Sequence, residues 1–233
     1  MIKLYYWPTP NGHKISIMLE EIEIEYDLHP INILNGEQFD PEFLKISPNN
    51  RIPAIVDTDG PNGDPYSLFE SGAILMYLAD KTGKFWPDNL TDRYNVIQWL
   101  MFQMGHVGPM FGQNGYYQGY AKEDVPAARE RYHNETKRLY GVMNKRLEQN
   151  EYLAGDFYSI ADIATYPWTM PAQWGLHRID IDEFPNVKRW NETVAIRPAV
   201  VKGVALLADD MKVGDPTDEA FDVLFGARQQ TKT

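Results

Sequence analysis

The chain has 233 residues, of which 43% are hydrophobic, enough for one large domain or two small ones with buried cores. Its 22 basic and 33 acidic residues give a formal net charge of −11, which argues against nucleic acid or an anionic membrane as the main partner. Cysteine is absent, no signal-peptide pattern is visible, and no apolar run approaches the roughly 20 residues that span a bilayer. We therefore expect a cytoplasmic protein.

The first residues predict a strand, a helix and a second strand. Ile2–Tyr6 is the first strand, and residues 26–31 form the second. Residues 13–22 form the helix between them, because apolar residues recur at helical spacing, namely Ile15, Met18, Leu19 and Ile22. A helix that connects two strands of one sheet predicts a crossover and hence a parallel pair.

The turn before this helix, Thr9-Pro10-Asn11-Gly12, is the first candidate site. A helix N-terminus offers backbone N–H groups and a partial positive charge, and both stabilise an anion such as a thiolate. Thr9 adds a hydroxyl donor and Asn11 an amide donor. The alternative is an ordinary N-cap and turn, because these residue types are common there. Since the chain has no cysteine, any sulfur handled here must arrive on a ligand.

Two more strands and a helix follow in the first third of the chain. Residues 53–57 and 66–68 are the predicted strands, separated by a segment rich in glycine and proline. The helix covers residues 71–81, and Gly83 ends it.

Further candidate site residues lie where these elements begin. Pro53 can follow a cis bond that presents the Ile52 backbone to a peptide-like ligand, or it can simply open a strand. Ser71 suits a carboxylate ligand and Glu70 an ammonium group, although Ser71 also suits a plain N-cap. We expect these residues and the Thr9 turn to meet at one edge of the sheet.

The second half of the chain predicts helices without strands. The first of them is capped by Thr91 and interrupted at Gly105, Gly108 and Pro109. Later, Ser159-Ile160-Ala161-Asp162 resembles a capping box, and Pro185 opens a further helix. The predicted domains are therefore residues 1–84, a helical domain of residues 91–210, and a C-terminal arm of residues 211–233 packed on the surface or on a partner subunit.

These motifs, in this order and spacing, resemble those of the cytosolic glutathione transferases. The resemblance covers roughly residues 1–210 and is carried by three motifs: Arg-Ile-Pro-Ala at Pro53, Glu70-Ser71 before an apolar helix, and the capping box at Ser159. The stretches 8–14 and 108–114 are narrower and resemble the bacterial nu class.

The resemblance implies a fold class and a ligand. The fold would be a thioredoxin-like α/β N-terminal domain followed by an all-α C-terminal domain, and the subunits would form a homodimer. The ligand would be glutathione, with its sulfur facing Thr9 and Asn11. The remaining implied glutathione-binding residues are Gln38, Arg51, Ile52, Pro53, Glu70, Ser71 and Arg131. Arg131 would serve the neighbouring subunit's site, and its alternative is a solvated charge on a helix.

The resemblance also implies an activity, namely reduction of small disulfides by glutathione without a protein cysteine. A first alternative is a transferase that conjugates an apolar electrophile with the same bound thiolate. Tyr5 or Tyr6 could also supply the activating hydroxyl in either reaction, although Thr9 and Asn11 are favoured because they lie on the turn itself. The electrophile pocket of the transferase would be lined by the helical domain, at Met104, Phe111, Tyr116, Tyr117 and Trp168. A second alternative is a glutathione-binding regulatory protein with no catalysis. We expect no metal, because the five histidines form no i, i+4 pair.

Overall fold

The computed structural model describes residues 1–210, 217–226 and 229. Contacts divide the chain into two compact units. The first comprises Met1–Ile74 and the described residues from Lys202 onward, and the second comprises Leu75–Val201. The domain boundaries predicted from the sequence stay a prediction.

Four strands and a series of α-helices make up the described part of the chain. The strands are β1 Ile2–Tyr6, β2 Tyr26–Pro30, β3 Ala54–Asp57 and β4 Tyr66–Phe69. The α-helices are α1 Pro10–Ile22, α2 Pro41–Leu44, α3 Ser71–Thr82, α4 Leu90–Phe102, α5 Gly108–Gly115, α6 Pro126–Leu147, α7 Ile160–Thr169, α8 Pro171–His177, α9 Pro185–Ala195, α10 Pro198–Ala205 and α11 Asp218–Phe225.

The strands form one sheet in the order β2-β1-β3-β4. β1 and β2 are parallel, which confirms the predicted crossover through α1, and the other two pairs are antiparallel. The fold prediction is confirmed: a mixed sheet with helices in the first unit, and helices without strands among the described residues of the second.

The strand register places four chain segments at one edge of the sheet. Tyr6 pairs with Pro30, Tyr5 pairs with Ala54, and Ala54 pairs with Phe69. The ends of β1, β2 and β4 and the beginning of β3 therefore lie at the same edge. The expected meeting of the candidate segments at one edge is confirmed, because each of them directly adjoins one of these strand ends.

Helix α1 begins at Pro10, three residues before the predicted start. Thr9 is its N-cap, with an extended backbone and a side-chain oxygen that accepts a hydrogen bond from the Gly12 N–H at 3.2 Å. Proline is well tolerated at the first helical position, where its missing N–H costs nothing. The apolar periodicity could not show this turn, because its residues are small or polar. The predicted apolar face is confirmed as buried.

The end of α10 and the residue after it are hydrogen-bonded to α1 and to the end of β1. The Ser16 hydroxyl donates to the Gly203 carbonyl at 2.7 Å, and the Tyr6 hydroxyl donates to the Leu206 carbonyl at 3.1 Å. A Cβ on Gly203 would lie 2.7 Å from the Ile17 backbone, so the two segments are in close contact. Within the first unit, this segment thus packs against the helix that begins at the Thr9 turn.

Part of the predicted C-terminal arm is described. Helix α11 buries Ala220 and Val223, and the Asn50 side-chain amide donates to the Gln229 carbonyl at 3.4 Å. Within the first unit, the arm therefore contacts the loop near residue 50. Residues 211–216, 227–228 and 230–233 of the predicted arm lie outside the described residues.

The structure differs from three expectations about the helices after residue 85. Asn89, not Thr91, caps α4, since its side-chain oxygen accepts from the Asp92 N–H at 2.9 Å. The predicted interruption near Gly105 is a π-helical turn, Gln103–Val107, and the helical path continues into α5. Helix α10 is not among the predicted elements, because only the break before Pro198 is visible in the sequence.

Among the described residues, no helix is both long and apolar enough to cross a bilayer.

The predicted capping box at the start of α7 is confirmed and lies in a buried hydrogen-bond network. One Asp162 carboxylate oxygen accepts from the Leu153 N–H at 3.0 Å and from the Trp190 indole N–H at 2.9 Å. The other accepts from the Ser159 N–H at 3.0 Å and the Ser159 hydroxyl at 3.1 Å. Burial raises the pKa of Asp162 to about 6, and these hydrogen bonds counteract it. The network fixes the start of α7 against α9.

We expect Asp162→Asn to lower the free energy of unfolding by about 2 kcal/mol, because the new amide nitrogen faces buried donors and leaves them without an acceptor. Urea unfolding followed by circular dichroism measures the change. The matched control is Asp80→Asn, which alters an exposed carboxylate on α3 and should change stability by less than about 0.5 kcal/mol. Equal stability of the two variants would contradict the role given to the network.

Candidate active site

The Thr9 turn provides the positive end of a helix. Thr9 caps α1, the Thr9 N–H donates to the Trp7 carbonyl at 2.7 Å, and Asn11 is the second helical residue, partly accessible to solvent. The first turn of α1 contains no acidic residue. A helix of 13 residues therefore presents its positive end here with no carboxylate of its own to neutralise it.

Gly12 brings this turn close to the end of β1. A Cβ at this position would lie 2.1 Å from the Trp7 carbonyl oxygen and 3.0 Å from the Tyr6 ring. No side chain fits at that distance, so glycine is required for the approach of α1 to the strand. The position of Thr9 and Asn11 depends on this contact.

Neither tyrosine of β1 is suited to activate a thiol. Tyr6 is fully buried; its hydroxyl lies 2.9 Å from His13 Nδ1 and donates to the Leu206 carbonyl. Burial also raises the pKa of the Tyr6 hydroxyl. Tyr5 stacks on His29 at 4.9 Å, and burial raises its pKa as well, assisted by the charge of Asp27. Both tyrosine hydroxyls are therefore poorly placed to act on a bound thiol, and the role of the Thr9 turn stays a prediction.

The Ile52–Pro53 bond is cis, as the sequence allowed, and it directly precedes β3. The loop before it is fixed by the Ser47 hydroxyl, which donates to the Arg51 carbonyl at 2.7 Å. Asn50 in this loop has a positive φ of 49°, and the Arg51 side chain is exposed. The loop therefore holds a defined conformation while leaving the Arg51 side chain accessible.

Gln38 lies after β2, in a 3₁₀ turn, and is 2% exposed. Its side-chain nitrogen donates to the Ile33 carbonyl at 3.2 Å. Its side-chain oxygen is buried and has no hydrogen-bond partner among the described residues. A buried acceptor without a partner is uncommon in a folded protein and is consistent with a place beside a ligand or water.

Glu70 and Ser71 lie at the junction of β4 and α3. Glu70 has a φ of 69°, in the left-handed region that a residue other than glycine rarely adopts, and such residues cluster at functional sites. The Asn49 amide donates to the Glu70 carboxylate at 3.5 Å. Ser71, the first residue of α3, is 6% exposed. The junction thus joins an exposed carboxylate to a helix N-terminus.

Sequence reasoning missed one charged residue in this region, Lys14. It is 1% exposed, and its ammonium group donates to the Ser71 hydroxyl oxygen at 3.3 Å. Burial lowers the pKa of Lys14 to about 7, and the charge of Glu70 counteracts the shift. Helical spacing could have indicated that Lys14 is buried, because it lies four residues before Met18 on the apolar face of α1.

The predicted residues of the helical half belong to the second unit. Arg131 is exposed on α6, and its role at a neighbouring subunit's site stays a prediction. Phe111, a candidate for the electrophile pocket, is fully buried and stacks on Tyr140 at 5.0 Å. Phe111 is therefore part of the core of the second unit.

Comparison with known proteins identifies the family. Residues 1–80 match the family model of the glutathione S-transferase N-terminal domain, and residues 101–198 match that of the C-terminal domain. The chain is 53% identical over 208 residues to Disulfide-bond oxidoreductase YfcG of Escherichia coli, covering 89% of this chain and 95% of that protein. The chain belongs to the glutathione S-transferase family. Disulfide-bond oxidoreductase YghU of the same organism is 38% identical to this chain over 213 residues, covering 87% of this chain and 73% of YghU.

Solved structures of similar transferases contain glutathione. A family member from Pseudomonas fluorescens with two glutathione bound has a TM-score of 0.84 and 50% identity, covering 87% of this chain and 92% of that one. A transferase from Pseudomonas putida with one glutathione disulfide bound per subunit has a TM-score of 0.84 and 45% identity, covering 88% of this chain and 91% of that one. The resemblance predicted from the sequence motifs is confirmed.

Proposed function

We propose that this chain is a glutathione-dependent disulfide-bond oxidoreductase. The observation that carries the proposal is a helix N-terminus suited to hold a thiolate, at Thr9 and Asn11, in a chain without cysteine. The 53% identity to a relative named a disulfide-bond oxidoreductase supports it. So do the similar structures that hold two glutathiones or one glutathione disulfide.

The reaction balances with glutathione as the only reductant. The thiolate of one glutathione attacks a sulfur of the substrate disulfide, its S–S bond breaks, and one half of the substrate leaves as a thiolate while the other half remains in a mixed disulfide. A second glutathione thiolate attacks the glutathione sulfur of that mixed disulfide and releases the other half of the substrate. The two protons lost by glutathione return to the two released thiolates. Glutathione disulfide is the oxidised product.

The protein contributes position and charge rather than a covalent intermediate. The Thr9 hydroxyl and the Asn11 amide donate to the glutathione sulfur, and the positive end of α1 lowers the pKa of its thiol. The Ile52 backbone pairs with the cysteinyl backbone of glutathione. Glu70 and Ser71 hold the γ-glutamyl group. The remaining residues, Gln38, Arg51, Pro53 and Arg131, complete the binding site.

Conjugation to an apolar electrophile is the second candidate, because the same bound thiolate could attack carbon. One observation counts against the predicted electrophile pocket: Phe111, one of its predicted residues, is a buried core residue that stacks on Tyr140. A regulatory role without turnover has no specific observation in its favour.

We also propose that the protein is a cytoplasmic homodimer that acts on small disulfides and uses no metal. The dimer follows from the family, as does the place of Arg131 at the neighbouring subunit's site. Light scattering at micromolar concentration tests the dimer, and a monomer mass would contradict it.

We expect Ser71→Ala to weaken glutathione binding about tenfold, because it removes a hydrogen bond to a carboxylate worth about 1.5 kcal/mol. Glu70→Ala should weaken binding by a similar factor, through loss of the contact with the γ-glutamyl ammonium group. Calorimetric titration of each variant with glutathione measures the effect. The matched control is Ser67→Ala, which removes an exposed hydroxyl on β4 and should leave binding unchanged. Normal affinity in both Ser71→Ala and Glu70→Ala would rule out the γ-glutamyl assignment.

The proposed function is tested by reduction of 2-hydroxyethyl disulfide with glutathione, coupled through glutathione reductase to oxidation of NADPH. We expect a protein-dependent rate that survives prior treatment with iodoacetamide, removed before the assay, because the chain has no cysteine to alkylate. A thioredoxin-like contaminant that depends on cysteine would lose its activity under the same treatment. Absence of a protein-dependent rate would contradict the proposal.

A further inference from the structure

A buried lysine, Lys14, contacts the serine of the proposed γ-glutamyl site. Lys14 is 1% exposed, and its ammonium group donates to the Ser71 hydroxyl oxygen at 3.3 Å. Lysine is almost never fully buried unless it is paired, because desolvation of an ammonium group is costly. The charge of Glu70 acts favourably on this ammonium group, but Glu70 is itself exposed to solvent.

Stability alone does not account for this lysine. A buried charge is often replaced by an apolar residue of similar volume with no loss of stability, and sometimes with a gain. Lys14 lies on the apolar face of α1, four residues before the fully buried Met18. A function therefore explains a cation at this position better than folding does.

The hydrogen bond excludes one direction in which Ser71 can donate. In its protonated form Lys14 has donors only, so the Ser71 oxygen acts as the acceptor in their contact. The hydroxyl hydrogen of Ser71 is then directed away from Lys14. Ser71 is also the first residue of the 12-residue helix α3, whose N-terminus favours negative charge. Ammonium, hydroxyl and helix N-terminus all favour a carboxylate at this point.

We propose that Lys14 is a positioning residue for the α-carboxylate of the γ-glutamyl group, acting through Ser71 and through its own charge. This inference rests on the proposed function, because it assumes that glutathione binds at Ser71. Lys14 orients the Ser71 hydroxyl toward the carboxylate and supplies a positive charge close to that carboxylate. Glu70, the residue before Ser71, pairs with the ammonium group on the same α-carbon of the γ-glutamyl group. The site thus recognises both charges of an α-amino acid group.

The first experiment measures glutathione affinity and stability of Lys14→Met. We expect the dissociation constant and KM for glutathione to rise by at least about tenfold, with most of the loss in KM rather than kcat. We expect resistance to urea to be equal to that of the wild type or higher. The matched control is Lys145→Met, which changes an exposed lysine on α6 and should leave glutathione binding unchanged. If Lys14→Met does not fold, Lys14→Gln replaces it, since it also removes the charge.

The second experiment locates the effect on the ligand. Glutaryl-Cys-Gly keeps the carboxylate but lacks the α-amino group, whereas 4-aminobutanoyl-Cys-Gly keeps the amino group but lacks the carboxylate. We expect Lys14→Met to weaken binding of glutathione and of glutaryl-Cys-Gly to a similar extent. We expect 4-aminobutanoyl-Cys-Gly to bind the variant and the wild type with equal affinity, because the group that Lys14 serves is absent from it.

The outcomes separate this inference from the proposed function. Normal binding of glutathione by Lys14→Met would overturn the inference and leave the function intact. An equal loss of affinity for all three ligands would also overturn the inference, because Lys14 would then have a general structural role. Failure of the wild-type protein to bind glutathione would instead contradict the proposed function itself.

Discussion

Asn11→Ala is expected to lower the glutathione-dependent disulfide reductase activity by between about tenfold and a hundredfold, while the protein remains folded. Asn11 lies in the first turn of α1, beside the N-cap Thr9, where the helix presents its positive end. Its side-chain amide is the donor that we assign to the glutathione sulfur. Loss of one donor from a site that stabilises a developing charge costs roughly 10²–10³ in kcat in a well-studied hydrolase, and a sulfur anion, which is larger, should lose somewhat less.

The measurement is the rate at saturating glutathione together with the pKa of bound glutathione, read from the ultraviolet absorbance of the thiolate. We expect both a lower rate and a higher thiol pKa in Asn11→Ala, since the donor stabilises the thiolate. Gln149→Ala, which removes an exposed side-chain amide in the second unit, is the control and should match the wild type. Wild-type kinetics in Asn11→Ala would remove Asn11 from the proposed role.

Gly12→Ala is expected to lower the free energy of unfolding by about 3 kcal/mol, because the added methyl group must displace backbone. The new Cβ would lie 2.1 Å from the Trp7 carbonyl oxygen, a contact that no rotamer change can relieve. Either α1 moves away from the end of β1 or the Trp7 peptide rotates. Both movements shift the Thr9 turn, so we expect glutathione binding to weaken as well.

Urea unfolding and calorimetric titration with glutathione measure these two effects. Gly141→Ala on α6 is the matched control, because a Cβ there meets nothing within 4 Å. In a helix, alanine is more favourable than glycine by about 1 kcal/mol. The two substitutions are chemically identical and should change stability in opposite directions. A Gly12→Ala protein as stable as the wild type would show that the approach of α1 to β1 is not as close as described.

Sequence patterns predict the sheet because its strands are short and are separated by a recognisable helix or by segments rich in glycine and proline. The predicted bounds of β1 and the predicted beginning of α3 at Ser71 are both correct. The predicted beginning of α1 is not, because apolar periodicity starts at Ile15, whereas Thr9 determines the true start through a side-chain hydrogen bond. Helix ends set by capping are thus visible only when polar residues are considered as well.

The sequence predicts the candidate site in part, and the missing part has a physical reason. Thr9, Ile52 and Ser71 adjoin strand ends, so a correct sheet order is enough to bring their segments to one edge. The helical spacing places Lys14 on the apolar face of α1, but a lysine in a helix is usually a solvated charge, so spacing alone does not predict its burial. Its burial depends on how α1 packs and on the contact with Ser71, and both are properties of the tertiary structure.

The most direct test of the account compares two initial rates of the purified protein at the same glutathione concentration. One is the reduction of 2-hydroxyethyl disulfide, and the other is conjugation to 1-chloro-2,4-dinitrobenzene. We predict that disulfide reduction is much the faster reaction, because the chain is 53% identical to a relative named a disulfide-bond oxidoreductase and a similar structure holds a glutathione disulfide. A conjugation rate that exceeds the reductase rate would contradict the account and make the protein a conjugating transferase.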